Sequence, residues 1–226
     1  MTGRRERDRE HRRELERSRE RWDFWSSYWG FVERDTVEVR RETIERLELE
    51  PGDTVLDLGC GPGVNFGMLR GAVGAEGRIL AVDLSPKMLE RARERVEERG
   101  WRNVDLVRAD ATRPVAGTER LDGVVATTAV SATPDVRSTV ENVYDALRPG
   151  ARFALYEIRL VPSGVARALN PLVRSFYRLF GNWNAEEDVL RELRSTFDRT
   201  EVARTFALGT NYVAVAERGP PRDGGY

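Results

Sequence analysis

The stretch VLDLGCGPGVNFGML, residues 55–69, decides the fold of this chain. It begins as a short apolar strand, passes through Gly59, Gly61 and Gly63, and continues into residues with helical spacing. A glycine-rich turn between a strand and a helix lets the backbone approach a ligand closely and directs the free N–H groups of the helix end towards it. The stretch therefore predicts a ligand-binding turn in an α/β domain.

Strand-like runs and helical segments alternate on either side of this turn. The predicted strands cover residues 54–59, 78–83, 103–110, 121–128 and 152–158. Between them, Ser85 and Pro86 form a typical helix start, and Gly100 and Gly150 mark predicted helix ends. Two closing strands, 197–207 and 210–217, are close in sequence and predict an antiparallel hairpin at the sheet edge. The order predicts a doubly wound α/β fold with a seven-stranded, mostly parallel sheet.

The composition of the chain argues against several classes of function. The net charge of the 226 residues is −1, which gives no overall reason to expect nucleic acid as a partner. Cys60 is the only cysteine and His11 the only histidine, so we expect no internal disulfide, no histidine-based metal site and no catalytic triad. We also expect a cytoplasmic protein, because no run is apolar enough to span a membrane or to act as a signal peptide.

The chain divides into a central domain with appendages. The predicted parts are a charged arm (1–21), an N-terminal helical lid (22–50), the α/β domain (51–217) and a flexible tail (218–226). Leu15 is the only apolar residue from position 3 to position 21, so even a helix here would have no face to bury, and we expect either a frayed or disordered arm or a helix that binds a partner. The aromatic cluster WDFWSSYWGF, residues 22–31, is interpreted either as a core stripe or as an enclosure for a substrate.

Three carboxylates follow successive predicted strands. Asp57, Asp83 and Asp110 stand at strand ends, and the carboxyl ends of parallel strands meet in one crevice. The glycine spacing is G-x-G-x-G, whereas a dinucleotide fingerprint is G-x-G-x-x-G and would need a glycine at Val64. These features predict a site that binds a nucleoside but lacks the glycine pattern that binds a diphosphate.

The motifs VLDLGCGPG, ILAVDLSPKMLERAR, VRADAT, LDGVVATT and ALRPGARFALYEI resemble those of class I S-adenosylmethionine-dependent methyltransferases, from about Thr36 to Glu217. The resemblance implies S-adenosylmethionine as cofactor and S-adenosylhomocysteine as product. It implies that these residues bind the cofactor: Asp57, Gly59, Cys60, Gly61, Gly63, Asp83, Leu84, Met88, Asp110, Ala111 and Thr127.

The resemblance also assigns roles to these residues. Asp57 and the glycine turn would hold the methionine part, and Asp83 would hold the ribose diol. Leu84 and Met88 would pack on the nucleoside, while Asp110 and Ala111 would contact adenine. Chemistry of this kind requires no metal and no covalent nucleophile, and we expect no metal.

The sequence gives less information about the acceptor of the methyl group than about the cofactor. The chain resembles both quinone-precursor C-methyltransferases and phosphatidylethanolamine-type N-methyltransferases, but residues 127–135, TTAVSATPD, lack the arginine–asparagine signature of the quinone enzymes. We expect a small-molecule or lipid-like acceptor and no nucleic acid. Candidates for catalysis are Tyr28, Glu157 and Tyr177, with Glu157 as a proton acceptor.

A helical insertion, residues 158–185, contains four arginines and no acidic residue. On a helical projection an apolar face of Val165, Leu169, Leu172, Phe176 and Leu179 lies opposite Arg167, Arg174 and Arg178, and Pro171 is expected to divide the segment into two helices. The pattern fits peripheral contact with a membrane surface, or else a helix packed on the domain with its arginines in water.

Two other functions stay open at this level. A nucleotide-dependent oxidoreductase is one, although the missing third glycine argues against it. A non-catalytic protein that binds S-adenosylmethionine or scaffolds a partner is the other. The sequence does not indicate an oligomeric state.

Overall fold

A seven-stranded sheet forms the centre of the molecule. The computed structural model describes residues 2–25, 30–181 and 187–220. The strands are β1 (Thr54–Leu58), β2 (Arg78–Asp83), β3 (Val104–Arg108), β4 (Leu121–Thr127), β5 (Leu147–Ile158), β6 (Arg199–Phe206) and β7 (Asn211–Glu217). They lie in the order β3-β2-β1-β4-β5-β7-β6. The first five are parallel, and β7 runs antiparallel to both β5 and β6. The predicted fold class and its closing hairpin are confirmed.

Helices cover both faces of the sheet. They are α1 (Thr2–Trp25), α2 (Gly30–Glu45), α3 (Phe66–Val73), α4 (Pro86–Glu98), α5 (Val136–Ala146), α6 (Asn170–Gly181) and α7 (Val189–Thr196). Apolar side chains of α2, α3 and α4 form one core with the sheet, and those of α5 and α7 form a second. Because successive residues of a strand point to opposite faces, Val55 contributes to the first core and Leu56 to the second. Burial on both faces explains why the parallel strands read as continuous apolar runs.

The strand order reverses between β1 and β4. The chain leaves β1 towards β2 and β3 on one side, and continues from β4 towards β5 on the other. Ligands of open α/β sheets bind at such a switch point, outside the carboxyl ends of the strands. Asp57, next to the end of β1, and Thr127, at the end of β4, are placed there by the topology.

Two predicted helix ends have different outcomes. Gly100, with a φ of 63°, follows the C-cap of α4, as predicted. Gly150, with a φ of 83°, does not end a helix, because α5 stops at Ala146 and Gly150 lies in the irregular first part of β5. The prediction at Gly150 was wrong, since its turn belongs to the entry into the strand.

The charged arm is part of one long helix. α1 runs through the boundary expected between residues 21 and 22. The expectation of an arm with no face to bury was wrong, because Ser18 is only 5% exposed and α1 packs against α4. The sequence shows little of this face, since only Leu15 within the arm is apolar. Residues 26–29, which include Tyr28 and Trp29 of the aromatic cluster, lie outside the described residues.

The insertion divides near Pro171, as predicted. A 3₁₀ turn (Val165–Leu169) leads directly into α6, whose first turn contains Pro171. The apolar face does not pack on the domain: Val165 is 97% exposed, Leu172 71% and Phe176 56%. The expectation of an ordinary packed helix was therefore wrong. The side chain of Leu179 and all of Trp183 lie outside the described part of the chain.

Candidate active site

The glycine turn after β1 has three glycines with positive φ. A Cβ at Gly59 would lie 2.4 Å from Cβ of Ala129, and a Cβ at Gly63 would lie 2.3 Å from the ring of Phe66. Glycine is needed at both positions for space as well as for backbone conformation. A Cβ at Gly61 would meet nothing within 4 Å. The turn is thus packed at its two ends and open at its centre.

Asp83 holds the open part of the turn. The backbone N–H of Gly61 donates to Oδ2 of Asp83 at 2.8 Å, and the N–H of Ser85 donates to Oδ1 at 2.8 Å. Burial raises the pKa of Asp83, and these two donors oppose the rise. The hydroxyl of Ser85 donates to Asp23 of α1 at 2.5 Å. One carboxylate at the end of β2 therefore fixes the turn and the start of α4 together.

Asp57 is a buried carboxylate with one unused oxygen. The side-chain amide of Asn65 donates to Oδ1 at 2.9 Å, whereas Oδ2 has no hydrogen-bond partner among the described residues. Burial raises the pKa of Asp57 to about 7, although Asn65 and Arg40 lower it. A buried polar atom without a partner is costly, so this oxygen points to a ligand donor.

Arg40 of α2 is a buried cation next to this carboxylate. It is only 4% exposed, and its guanidinium donates to Oδ1 of Asn65 at 3.1 Å, to Oγ1 of Thr127 and to Oγ1 of Thr36 at 2.9 Å. The motif reasoning missed Arg40 and Asn65. A signal for Arg40 was present: it precedes the buried Thr43, Ile44 and Leu47 by 3, 4 and 7 positions, which places it on the core face of a helix.

A cleft opens beside these groups. Eight of the predicted cofactor residues line it: Gly59, Gly61, Asp83, Leu84, Met88, Asp110, Ala111 and Thr127. Leu15, Ser18 and Trp22 of α1 line it as well. The N-terminal helix thus forms one wall of the predicted nucleoside site.

Three predicted cofactor residues do not line this cleft. Asp57 is buried on β1, and Gly63 is buried against Phe66 of α3. Cys60 is buried; its N–H donates to the carbonyl of Val82 at 2.9 Å, and burial raises the pKa of its thiol well above the usual value. A buried, protonated thiol whose backbone donor is already used has a structural role.

Asp110 is held in a local turn. Its Oδ1 accepts from the N–H of Thr112 at 2.9 Å and from the hydroxyl of Thr112 at 2.7 Å. The carboxylate thereby fixes the backbone at the end of β3, where Ala111 also faces the cleft. Both residues are at the position that the sequence reasoning gave them.

Glu157 does not have the geometry of a general base. It is fully buried, and its carboxylate accepts from the N–H of Val130 at 2.7 Å, the N–H of Ser131 at 3.2 Å and the hydroxyl of Ser131 at 2.5 Å. Burial raises the pKa of Glu157, and these donors oppose the rise. The structure contradicts the prediction that it accepts a proton from substrate, because its oxygens anchor the 3₁₀ turn after β4.

Of the other catalytic candidates, Tyr177 is described and Tyr28 lies outside the described residues. The hydroxyl of Tyr177 on α6 accepts from the side-chain amide of Asn211 at 3.3 Å. Oδ1 of Asn211 accepts from the hydroxyl of Tyr156 at 2.7 Å, and burial raises the pKa of Tyr156 to about 12. This hydrogen-bonded group joins α6 to the ends of β5 and β7.

The fold and the site together define a class of protein. A sheet in the order β3-β2-β1-β4-β5-β7-β6, with a glycine turn and carboxylates at its switch point, is that of the class I S-adenosylmethionine-dependent methyltransferases. The fold and the site of this chain resemble those of this class, as its sequence motifs implied. The residues also fit the cofactor, because the unpartnered Oδ2 of Asp57 and the adjacent Arg40 offer opposite charges to the ammonium and carboxylate of an amino acid.

Comparison with known proteins agrees with this assignment. Residues 55–150 match the family described as "Methyltransferase domain". The chain is 31% identical over 110 residues to an arsenite methyltransferase of Halobacterium salinarum, covering 49% of this chain and 28% of that protein. It is 28% identical over 152 residues to a demethylmenaquinone methyltransferase of Listeria welshimeri, covering 66% and 64%. The match thus spans less than two thirds of either relative.

A solved structure supports the fold. The structure of a geranyl diphosphate methyltransferase in complex with S-adenosylmethionine matches with a TM-score of 0.65 at 15% identity, covering 80% of this chain and 85% of that one. At this identity the likeness establishes the architecture only.

Proposed function

We propose that this chain transfers the methyl group of S-adenosylmethionine to a small-molecule acceptor. One observation carries the proposal: Asp57 keeps a buried oxygen without a partner beside the buried Arg40, at the edge of a cleft lined by the glycine turn. A structural carboxylate would be expected to have both oxygens satisfied. The arrangement is accounted for when a ligand brings an ammonium group to this oxygen.

Different residues of the chain would bind different parts of the cofactor. Asp57 and Arg40 would hold the amino-acid part, and the carboxylate of Asp83 the ribose diol. Leu84 and Met88 would pack against the nucleoside. The bound cofactor supplies a methyl group that its sulfonium makes electrophilic. The remaining task of the protein is to position a nucleophile and to exclude water.

The acceptor is proposed to be a small molecule with an apolar part. The two relatives are named for arsenite and for demethylmenaquinone, which are both small molecules. The exposed apolar face of the insertion supports the finer prediction of a lipid-like acceptor met at a membrane surface. Tyr177 on α6 is proposed to contact the acceptor, since it joins α6 to the carboxyl edge of the sheet. A cytoplasmic location also remains a prediction.

Calorimetry with S-adenosylmethionine and S-adenosylhomocysteine tests the proposal. We expect both to bind, and Asp83→Ala to weaken both by at least about tenfold, because it removes a charged partner of the ribose. Asp105→Ala is the matched control, since Asp105 lies on β3 outside the cleft and pairs with Arg78 on the surface. Absence of binding by the unmodified protein, or equal loss in both variants, would contradict the proposal.

Turnover needs a separate experiment. Incubation with labelled cofactor and a lipid or metabolite extract, followed by mass spectrometry, should reveal a methylated product. A protein that binds the cofactor but labels no acceptor would instead be a sensor or scaffold. A thermal shift with NAD and none with S-adenosylmethionine would favour an oxidoreductase.

A further inference from the structure

The insertion presents an apolar stripe that no described residue covers. Val165 is 97% exposed, Leu169 44%, Leu172 71% and Phe176 56%. Leu172 and Phe176 are four residues apart on α6 and share one face of that helix, and Val165 and Leu169 lie on the 3₁₀ turn that leads into it. Four exposed apolar side chains in one short segment are unusual, whereas single exposed apolar residues are common on any protein surface.

The rest of the insertion is basic. Arg159, Arg167, Arg174 and Arg178 lie between residues 158 and 185, and this segment has no acidic residue. The rest of the chain has the opposite sign, with a net charge of −5, since the whole chain has −1 and the insertion has +4. A helix with one apolar face and only positive charge elsewhere has the composition of helices that lie in a membrane interface and attract anionic lipids.

We propose that the 3₁₀ turn and α6, residues 165–181, form a docking surface for an anionic lipid bilayer. This inference rests on the proposed function, because it identifies the surface at which a lipid-like acceptor would reach the enzyme. The apolar stripe inserts between the lipid headgroups, and the arginines bind their phosphates. Phe24, which is 62% exposed, follows Arg21 by three positions on α1, and Arg21 contacts α6.

A second copy of the chain fits this surface less well. α6 has 12 residues and is therefore only about 18 Å long. A stable dimer buries about 800 Å² on each partner, which a single stripe of four side chains does not provide. Two copies would also bring two sets of arginines together without an acidic partner from the insertion. A bilayer needs no matching surface, and its phosphates supply the opposite charge.

The proposed docking surface is linked to the cofactor cleft through α1. The guanidinium of Arg21 on α1 donates to the carbonyl of Arg178 on α6 at 2.5 Å. One turn before Arg21, Ser18 of α1 lines the cleft, as does Trp22. The helix that closes the cofactor cleft is thus held by the helix that faces the membrane.

Vesicle flotation with the full chain tests the docking surface. The probes are vesicles of phosphatidylcholine alone and of phosphatidylcholine mixed with phosphatidylglycerol. We expect binding to the anionic vesicles, weaker binding at high salt and little binding to the neutral ones. Leu172→Ser with Phe176→Ser should weaken binding by about tenfold or more, because both side chains leave the apolar phase. Arg174→Gln with Arg178→Gln should weaken binding to the anionic vesicles only.

Val107→Ser is the matched control, since Val107 is 38% exposed on β3, at the edge of the sheet opposite to β6. Equal binding by the Leu172/Phe176 double variant, or no binding by the unmodified chain, overturns the proposal. A dimer in light scattering that this double variant dissociates also overturns it in favour of a second copy. Calorimetry with S-adenosylmethionine on the same samples separates this result from the proposed function, because cofactor binding does not need the stripe.

Discussion

At the scale of single residues, the buried carboxylate of Asp57 lowers the stability of the fold and provides a polar group that can bind a ligand. Its pKa rises from 3.8 to about 7 because it is buried. Between these values the unfolded chain loses the proton while the folded chain keeps it, so the contribution of Asp57 to stability falls as pH rises through this window and is constant above it. The ammonium group of a bound ligand would offset this loss of stability, because it would pair with the ionised carboxylate.

Asp57→Asn should therefore stabilise the cofactor-free protein above pH 7. The gain is about 1–4 kcal/mol in the free energy of unfolding, since each pH unit of difference in pKa corresponds to about 1.4 kcal/mol. It should vanish at a pH below the ordinary carboxyl pKa. Urea titrations at pH values below and above the window measure it, with the exposed Asp105→Asn as control. The same variant should lose affinity for S-adenosylmethionine, and a variant that keeps both pH dependence and affinity would refute the assigned role.

Arg40→Met should destabilise the protein by about 1–3 kcal/mol, because it removes a buried donor that Asn65 and Thr127 share. It should also weaken cofactor binding, since it removes the cation beside Asp57. Arg41→Met is the matched control, because Arg41 is the next residue of α2 and is exposed to solvent. Chemical denaturation and calorimetry measure the two effects. Equal changes in both variants would mean that Arg40 acts only as a surface charge.

At the scale of elements, Glu157 joins the end of β5 to the 3₁₀ turn after β4. Glu157→Ala should cost about 2–4 kcal/mol of stability, because three donors of Val130 and Ser131 lose a buried acceptor. Glu141→Ala, an exposed change on α5, should cost little. Thermal denaturation compares them. If Glu157→Gln instead kept full stability but shifted the pH profile of turnover, Glu157 would be a proton acceptor after all.

The glycine turn makes a second prediction at this scale. Gly59→Ala places a Cβ against Ala129 and also requires a positive φ, for which an L-residue loses about 1–2 kcal/mol. Adding Ala129→Gly should remove the clash and leave only the backbone cost. Gly61→Ala, which meets no neighbour, should show the backbone cost alone. A double-mutant cycle in urea measures these differences, and no recovery in the double variant would contradict the packing argument.

The sequence predicts some of these elements well because their signals are local. Strand β2 has the predicted bounds, and α4 begins after Ser85, whose side chain accepts from the N–H of Met88 at 3.1 Å. Glu157 was misjudged because its donors are 26 and 27 positions away, at a distance that no spacing rule reaches. The contact of α1 with the cleft has the same cause. Its buried face contains Ser18, a polar residue that gives no apolar signal.

At the scale of the whole molecule, three peripheral helices converge on one cleft. α2 brings Arg40 beneath it, α1 forms a wall with Leu15 and Trp22, and α6 is held to α1 through Arg21. Among the described residues, no helix is both long enough and apolar enough to cross a membrane.

Cofactor binding should make α1 harder to cleave. α1 is rich in arginine, and trypsin cuts after arginine once a segment opens from its helical state. A ligand that fills the cleft contacts the wall made by Leu15, Ser18 and Trp22, so it should lower the open fraction of α1 several-fold. Limited proteolysis with and without S-adenosylhomocysteine, followed by mass spectrometry of the N-terminal fragments, measures the rate. Asp83→Ala should abolish the protection and Asp105→Ala should keep it. If α1 were cleaved at the same rate with saturating ligand, it would not be a wall of the bound site, and its packing on α4 would have to serve stability alone.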